Sequence, residues 1–391
     1  MSDVKNVIVI GLSYAGVGAA NELAKKLPAG YRVLAIEKNE YAFNPLPSLR
    51  ASVIPGWEDK VMVKTEKLFP ASSQHKTLVG ATVIKIGRDS VTLDSEVELD
   101  GKSTSTIPFS HLVIATGSVG HFPIRIPEYK GPEDAKKAFR KLQDEVKGAK
   151  KLLIIGGGPV GFEFAGEVTE YYDGSKGREK KEITLVNANP KLLHADIKDG
   201  IHRKALTTLE KTGVNVIMGH YVNGVDATRN GALAQTQTFT LDDGRTVEAD
   251  FVLIGVGSKA NSSIIVESFG EDAVEPNTQQ VKVRTTLQLP SQDNIFAIGD
   301  CNNVKENKQA AFIIKQATTA TDNIVALINN TSLKDYSPQT TLVMLASYGT
   351  KDATGQLPFG FSAPSWLGSR LKSKGLFADK FAAAFNTTTF A

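Results

Sequence analysis

The sequence predicts an α/β chain with two doubly wound parallel-sheet units and a small C-terminal α+β unit. Three observations predict it. Two apolar strands each run through a glycine turn into a helix start, VIVIGLSYAGVGAA at 7–20 and KLLIIGGGPVGFEFAGE at 151–167. Two more apolar strands end in glycine, HLVIATG at 111–117 and FVLIGVG at 251–257. Residues 337–391 then bring a strand candidate, a glycine-rich stretch and a basic, aromatic segment. At 391 residues the chain exceeds one ordinary core, so two or three domains are expected.

The first glycine turn aims the unpaired N–H groups of a helix start at one spot, where the helix dipole favours an anion. It reads Gly11-x-Ser13-x-x-Gly16 around Tyr14 and Ala15. Only the middle glycine of G-x-G-x-x-G is replaced, and serine is the mildest departure where the backbone must approach a pyrophosphate. The next strand, YRVLAIEKN at 31–39, finishes at Glu37, where a carboxylate can accept hydrogen bonds from an adenosine ribose. Together these make a Rossmann-like dinucleotide site. The plainer reading is a packing turn beside a surface glutamate.

After Glu37, YAFNPLPSLRAS at 41–52 reads as a loop entering a short helix. Its Arg50 can pair with a phosphate or a carboxylate, or stand solvated. Segments near 77–86, 90–93 and 105–107 alternate like strands of a small antiparallel sheet. The strand 111–115 returns the chain beside the first turn at Thr116 and Gly117. Phe122-Pro123, Pro127 and Pro132 mark a linker, and 133–146 is a charged helix.

The second turn is complete: Gly156-x-Gly158-x-x-Gly161, with Pro159 and Val160 at the helix start. Two such fingerprints about 145 positions apart imply two dinucleotides. Where a second ribose-binding acid would stand the chain has Asn187, followed by Lys191. Without an acid there is no repulsion against a 2′-phosphate, so both NADH and NADPH are expected to be used. Strands follow at 213–218 and 239–241, with LDDG as a hairpin turn. The strand ending at Gly257 then brings the chain back to the first unit. NIFAIGD at 294–300 ends in Gly299-Asp300, where backbone approaches a ligand and a carboxylate accepts a ribityl or ribose hydroxyl. A helix of about five turns covers 310–329.

In the tail, Trp366, Leu367 and Leu371 mix with Arg370, Lys372 and Lys374. Phe377, Phe381 and Phe385 repeat at helical spacing as one apolar stripe. Burial against the body is expected for it, with a face toward a peripheral membrane surface or a partner as the alternative.

Composition, 41% hydrophobic and 22% charged, is that of a soluble globular protein. No apolar run approaches the roughly 20 residues that span a bilayer. MSDVKNVIVIG enters a strand at once and Ser2 stands where N-myristoylation needs glycine, so a cytoplasmic location is expected. A net charge of +3 with interspersed signs argues against nucleic acid. The single cysteine, Cys301, excludes an internal disulfide and a C-x-x-C pair. Redox chemistry would therefore need a bound organic cofactor. No histidine spacing suggests a metal.

In order, GLSYAG, Glu37, HLVIATG, GGGPVGFEFAGE, FVLIGVG and IFAIGD resemble the pyridine nucleotide-disulfide oxidoreductase superfamily over roughly the first 330 positions. The resemblance implies a glutathione reductase-like FAD domain at 1–122 and 254–330. An NAD(P)H domain at 123–253 interrupts it, and a C-terminal domain at 331–391 follows. FAD is implied at Gly11, Ser13, Gly16, Glu37 and Asp300, and NAD(P)H at Gly156, Gly158 and Gly161. The same turns make Tyr14, Ala15, Thr116, Gly117, Pro159, Val160, Asn187, Gly257 and Gly299 candidate cofactor contacts.

FNPLPSLRAS, GFEFAGE and the tail GSRLKSKGLF are most similar to the ferroptosis suppressor protein and apoptosis-inducing factor-like group of NAD(P)H:quinone oxidoreductases. By that match Arg50 resembles a flavin-contacting arginine and Val83 a residue that meets the adenosine through its backbone. Glu163 resembles a glutamate near nicotinamide and flavin, and Lys372 a lysine near flavin and quinone. The implied reaction passes hydride from NAD(P)H to flavin and then two electrons to a quinone. A type II NADH dehydrogenase and an apoptosis-inducing factor-like redox sensor are the alternatives. Monomer and homodimer both remain open.

Overall fold

Strand β1 (Lys5–Ile10) shows no polar alternation after Asn6, a pattern that suits a strand covered on both faces. In the computed structural model, which describes residues 4–126, 130–225 and 230–391, that is where it lies. Ser2 and Pro127 fall outside the described residues. β1 is central in a five-stranded parallel sheet ordered Ile295–Ala297, His111–Ile114, β1, Tyr31–Glu37 and Lys76–Val79. Its two neighbours come from different parts of the chain, so its carboxyl end is the switch point where an open α/β sheet leaves a crevice. Helix α1 (Tyr14–Lys26) covers one face together with the helix Ala310–Ile328. Buried Ala19, Ala20, Ala317 and Ala320 share that core.

The expected strand over 77–86 divides in two. Gly80, at φ +72°, breaks it. Lys76–Val79 closes the parallel sheet, while Val83–Ile86 joins Ser90–Leu99 and Lys102–Pro108 in an antiparallel sheet. Parallel pairing with Tyr31–Glu37 is a long-range property that alternation alone does not reveal.

A second five-stranded sheet has the order Asn215–Met218, Glu182–Asn187, Lys151–Ile155, Thr246–Ile254 and Gly231–Thr240. The first four strands are parallel and the last forms a hairpin through the 241–244 turn, where Gly244 N–H donates to Leu241 O at 3.1 Å. Helix α2 (Pro159–Tyr171) leaves its central strand.

The tail straddles both sheets. Its hairpin, Met344–Tyr348 with Asp352–Gln356, lies on α2 with the Tyr348 and Phe162 rings 5.0 Å apart. A helical turn, Ser365–Gly368, then continues into one π-helical turn, Ser369–Ser373. Two of the three phenylalanines of the stripe are core. Phe381 and Phe385 are buried in the first unit, Phe381 packing on Tyr14 at 4.9 Å, while Phe377 precedes the short helix Ala378–Ala383 at φ +56°.

Candidate active site

The crevice at the carboxyl end of β1 is a cleft of about 500 Å³, and each element that ends there supplies part of its wall. A Cβ on Gly16 would stand 1.7 Å from Gly11 O, so only glycine lets α1 begin so close to the strand end. Ser13, the N-cap of α1, donates its hydroxyl to Phe43 O at 3.2 Å. Tyr14 donates to Asn44 Oδ1 at 3.0 Å, and burial pushes its phenol well above the usual range. Glu37 Oε2 accepts Leu12 N–H at 2.8 Å and Oε1 accepts Asn39 N–H at 3.2 Å. Burial raises its carboxyl, opposed by these two donors. Glu37 therefore fastens the second strand to the first turn and keeps acceptor capacity for a ribose.

The second turn repeats that joint with an amide. Asn187 Oδ1 accepts Gly157 N–H at 2.9 Å, and its Nδ2 donates to the carbonyls of Asn189 and Lys191. Lys191 is not free: it pairs with Asp199 at 2.8 Å and donates to Ile197 O at 3.0 Å. A Cβ on Gly158 would meet nothing nearer than Leu193 O at 4.0 Å. The mouth of this turn is open, which is what close approach of a phosphate requires.

Asp300 shows what the first cleft would take. Its Oδ2 accepts from Ser118 Oγ and Arg125 Nη2, each at 3.1 Å. Its Oδ1 is buried without a hydrogen-bond partner. Such an orphan acceptor marks a place for a ligand donor. Thr116 Oγ1 donates to Asn261 O at 2.6 Å, and Asn261 N–H to Gly117 O at 2.9 Å, joining the two returns. Val83 lines the same cleft. An anion-accepting turn, a ribose-type carboxylate and an unpartnered Asp300 oxygen together fit a flavin dinucleotide.

Pro159, Val160 and Glu163 of α2 also line this cleft, so the second turn and the first face one space. Glu163 meets Lys372 there: Nζ lies 2.5 Å from Oε1, and both side chains are almost wholly buried. Oε1 also accepts Ser347 N–H at 2.9 Å, and Lys372 also donates to Leu345 O at 2.9 Å. Both bonds to Glu163 fall on Oε1. Ser369 Oγ to Thr350 O and Ser373 Oγ to Asp352 O tie the π-helical turn to the hairpin and set Lys372 in place. Such turns often mark functional sites.

Other expected residues lie elsewhere. Arg50 is fully buried and does not line the cleft: it forms two 2.8 Å bonds to Glu167 and donates to the carbonyls of Gly349 and Lys374. Its guanidinium is engaged in an internal ion pair with Glu167. Gly156, Gly161 and Gly299 shape backbone rather than surface, and Gly257 sits at φ +87° with open space around its Cα. The cleft residues that carried no sequence signal include Ser118, Arg125 and Lys308. The fold brings Ser118 and Arg125 to Asp300 from 182 and 175 positions away. Among the described residues His220, Asp242 and Asp243 suit a metal by type, but they pair with one another and with Arg245, so no metal is assigned.

Relatives match over nearly their whole length and nearly the whole of this chain. The chain is 29% identical over 375 residues to ferroptosis suppressor protein 1 of Xenopus laevis, covering 96% of this chain and 94% of that protein. It is 29% identical over 397 residues to apoptosis-inducing factor homolog B of Dictyostelium discoideum, covering 98% of each. The fold is similar to that of the sulfide:quinone oxidoreductase of Aquifex aeolicus, with a TM-score of 0.74 at 20% identity over 97% of this chain and 92% of that one. A family model described as pyridine nucleotide-disulphide oxidoreductase matches residues 5–323, most of the chain, and the chain belongs to that family.

Proposed function

We propose that the chain is an FAD-dependent oxidoreductase that takes hydride from NADH or NADPH and passes two electrons to a quinone-type acceptor. The carrying observation is that Pro159, Val160 and Glu163, from the second turn and its helix, share one cleft wall with Gly11, Ser13, Glu37 and Asp300. The turn Gly11–Gly16 would hold the flavin pyrophosphate, Glu37 the adenosine ribose and Asp300 Oδ1 a hydroxyl. Bound flavin would supply the two-electron chemistry that the side chains lack. Lys372 holds Glu163 through Oε1, leaving Oε2 to orient the nicotinamide, and keeps one N–H for an acceptor oxygen. Cys301 is the single cysteine and is fully buried, so no dithiol carries electrons onward. That favours a small organic acceptor, in line with the quinone in the name of the Aquifex protein.

The test is spectroscopic. Purified protein should be yellow, bleach anaerobically with NADH and with NADPH at kcat/KM values within about tenfold of each other, and recover its colour within seconds of quinone addition. A long-lived charge-transfer band with poor turnover would replace the enzyme with a redox sensor.

The tail supports a peripheral membrane contact. Phe359, Phe361, Trp366 and Leu371 are 86, 68, 69 and 53% exposed, and Lys198, Arg370 and Lys374 are exposed with them. No helix among the described residues is long and apolar enough to cross a membrane. Apolar anchors beside cations suit the surface of an anionic bilayer, where an apolar quinone also dissolves. Flotation with phosphatidylserine vesicles should carry the wild type. The triple variant F359S/F361S/W366S should stay below while still reducing a water-soluble quinone, and equal flotation would remove the contact.

A further inference from the structure

Lys308 stands in the wall of the cleft with no carboxylate within ion-pair distance among the described residues. Its Nζ donates to Asn302 Oδ1 at 2.5 Å, leaving two of three N–H donors unspent. Asn302 is fully buried and fixed in turn: its Nδ2 donates to Ala297 O at 2.9 Å and to Gln316 Oε1 at 2.8 Å. Gln316 Oε1 also accepts Gly299 N–H at 2.8 Å, and its Nε2 donates to Glu306 at 2.6 Å. A rigid polar chain therefore holds the ammonium beside the Gly299-Asp300 turn. Burial pushes Lys308 below the ordinary lysine range, and the nearby Cys301, Glu306 and Asp300, none of them in ion-pair contact, only oppose that shift.

The other cations discussed differ. Arg125 is paired with Asp300 and Lys372 with Glu163. Lys308 is built in the same wall, half-buried and with no carboxylate in ion-pair contact, an unfavourable arrangement unless an anion arrives. A hydride brings two electrons and one proton while NAD(P)+ departs, so each transfer adds one negative charge to the cleft.

We propose that Lys308 offsets that charge and so holds reduced flavin more tightly than oxidised flavin. The inference rests on flavin occupying the cleft, as proposed above, and needs no particular acceptor. The two-electron midpoint potential of the holoenzyme, measured against reference dyes, tests it together with the FAD retained through gel filtration. Lys308→Met, which removes a half-buried charge that has no carboxylate in ion-pair contact, should cut the preference for reduced flavin at least about tenfold. For a two-electron couple that is about 29.6 mV toward negative potential. FAD content should hold, and Lys308→Arg should keep most of the wild-type potential. An unchanged potential in Lys308→Met overturns the proposal, and so does loss of FAD at unchanged potential, which would assign Lys308 to the pyrophosphate. Wild type that binds no flavin overturns the cleft assignment as well. Wild type that binds flavin but reduces no quinone overturns only the acceptor, because the potential is read without one.

Discussion

Glutamine at position 163 should slow anaerobic reduction of the bound flavin by NADH roughly 10²-fold, the loss expected when a reacting group is displaced by about 1 Å, while the protein stays yellow. The carboxylate divides its work between its oxygens. Oε1 takes Ser347 N–H and the Lys372 ammonium, which anchors α2 to the tail hairpin, and Oε2 remains for the nicotinamide. An amide keeps the shape but carries two N–H donors, one of which must face an ammonium or replace the free acceptor. Lys372→Met should also slow reduction, because it leaves Glu163 as an unbalanced carboxylate in a buried wall. Since the two act as one pair, Glu163→Gln with Lys372→Met should lose less than the product of the single losses, a coupling of at least about 1 kcal/mol. Stopped-flow bleaching of the flavin reads all three variants. A Glu163→Gln rate equal to wild type would take Glu163 out of the site.

Much of this arrangement was legible because its signals are local. A glycine turn between an apolar strand and a helix needs only about ten consecutive residues to declare itself, and the turns at Gly11 and Gly156, the returns at Gly117 and Gly257 and the Gly299-Asp300 end all occur where expected. Tail residues were harder. The stripe Phe377, Phe381, Phe385 packs two of its rings inside, the expected burial, but around a helix only six residues long. Exposed apolar residues instead occupy the irregular stretch around Phe359 and Trp366, where no period advertises them. Lys308 was illegible for a different reason. Its meaning lies in the lack of a partner carboxylate, and a sequence gives residue types without giving what surrounds them.

Arg50 is the sharpest case, because its sequence context points to flavin while its contacts point to stability. Its guanidinium is fully buried, bound to Glu167 of α2 by two 2.8 Å bonds and to tail carbonyls at Gly349 and Lys374, and stacked 4.7 Å over Trp57. One side chain thus joins the first unit, the second unit and the tail. Burial raises the Glu167 carboxyl and Arg50 opposes that shift, so removing the arginine strands a buried acid. Arg50→Met should therefore lower the unfolding free energy by about 3–5 kcal/mol, read as a lower urea midpoint of the flavin-free protein. Replacing both partners, Arg50→Met with Glu167→Leu, should recover much of the loss, because no unpaired charge then remains. An arginine whose work was to hold flavin would behave in the opposite way. Its loss would spare the flavin-free protein, weaken FAD retention alone, and gain nothing from a second substitution at Glu167.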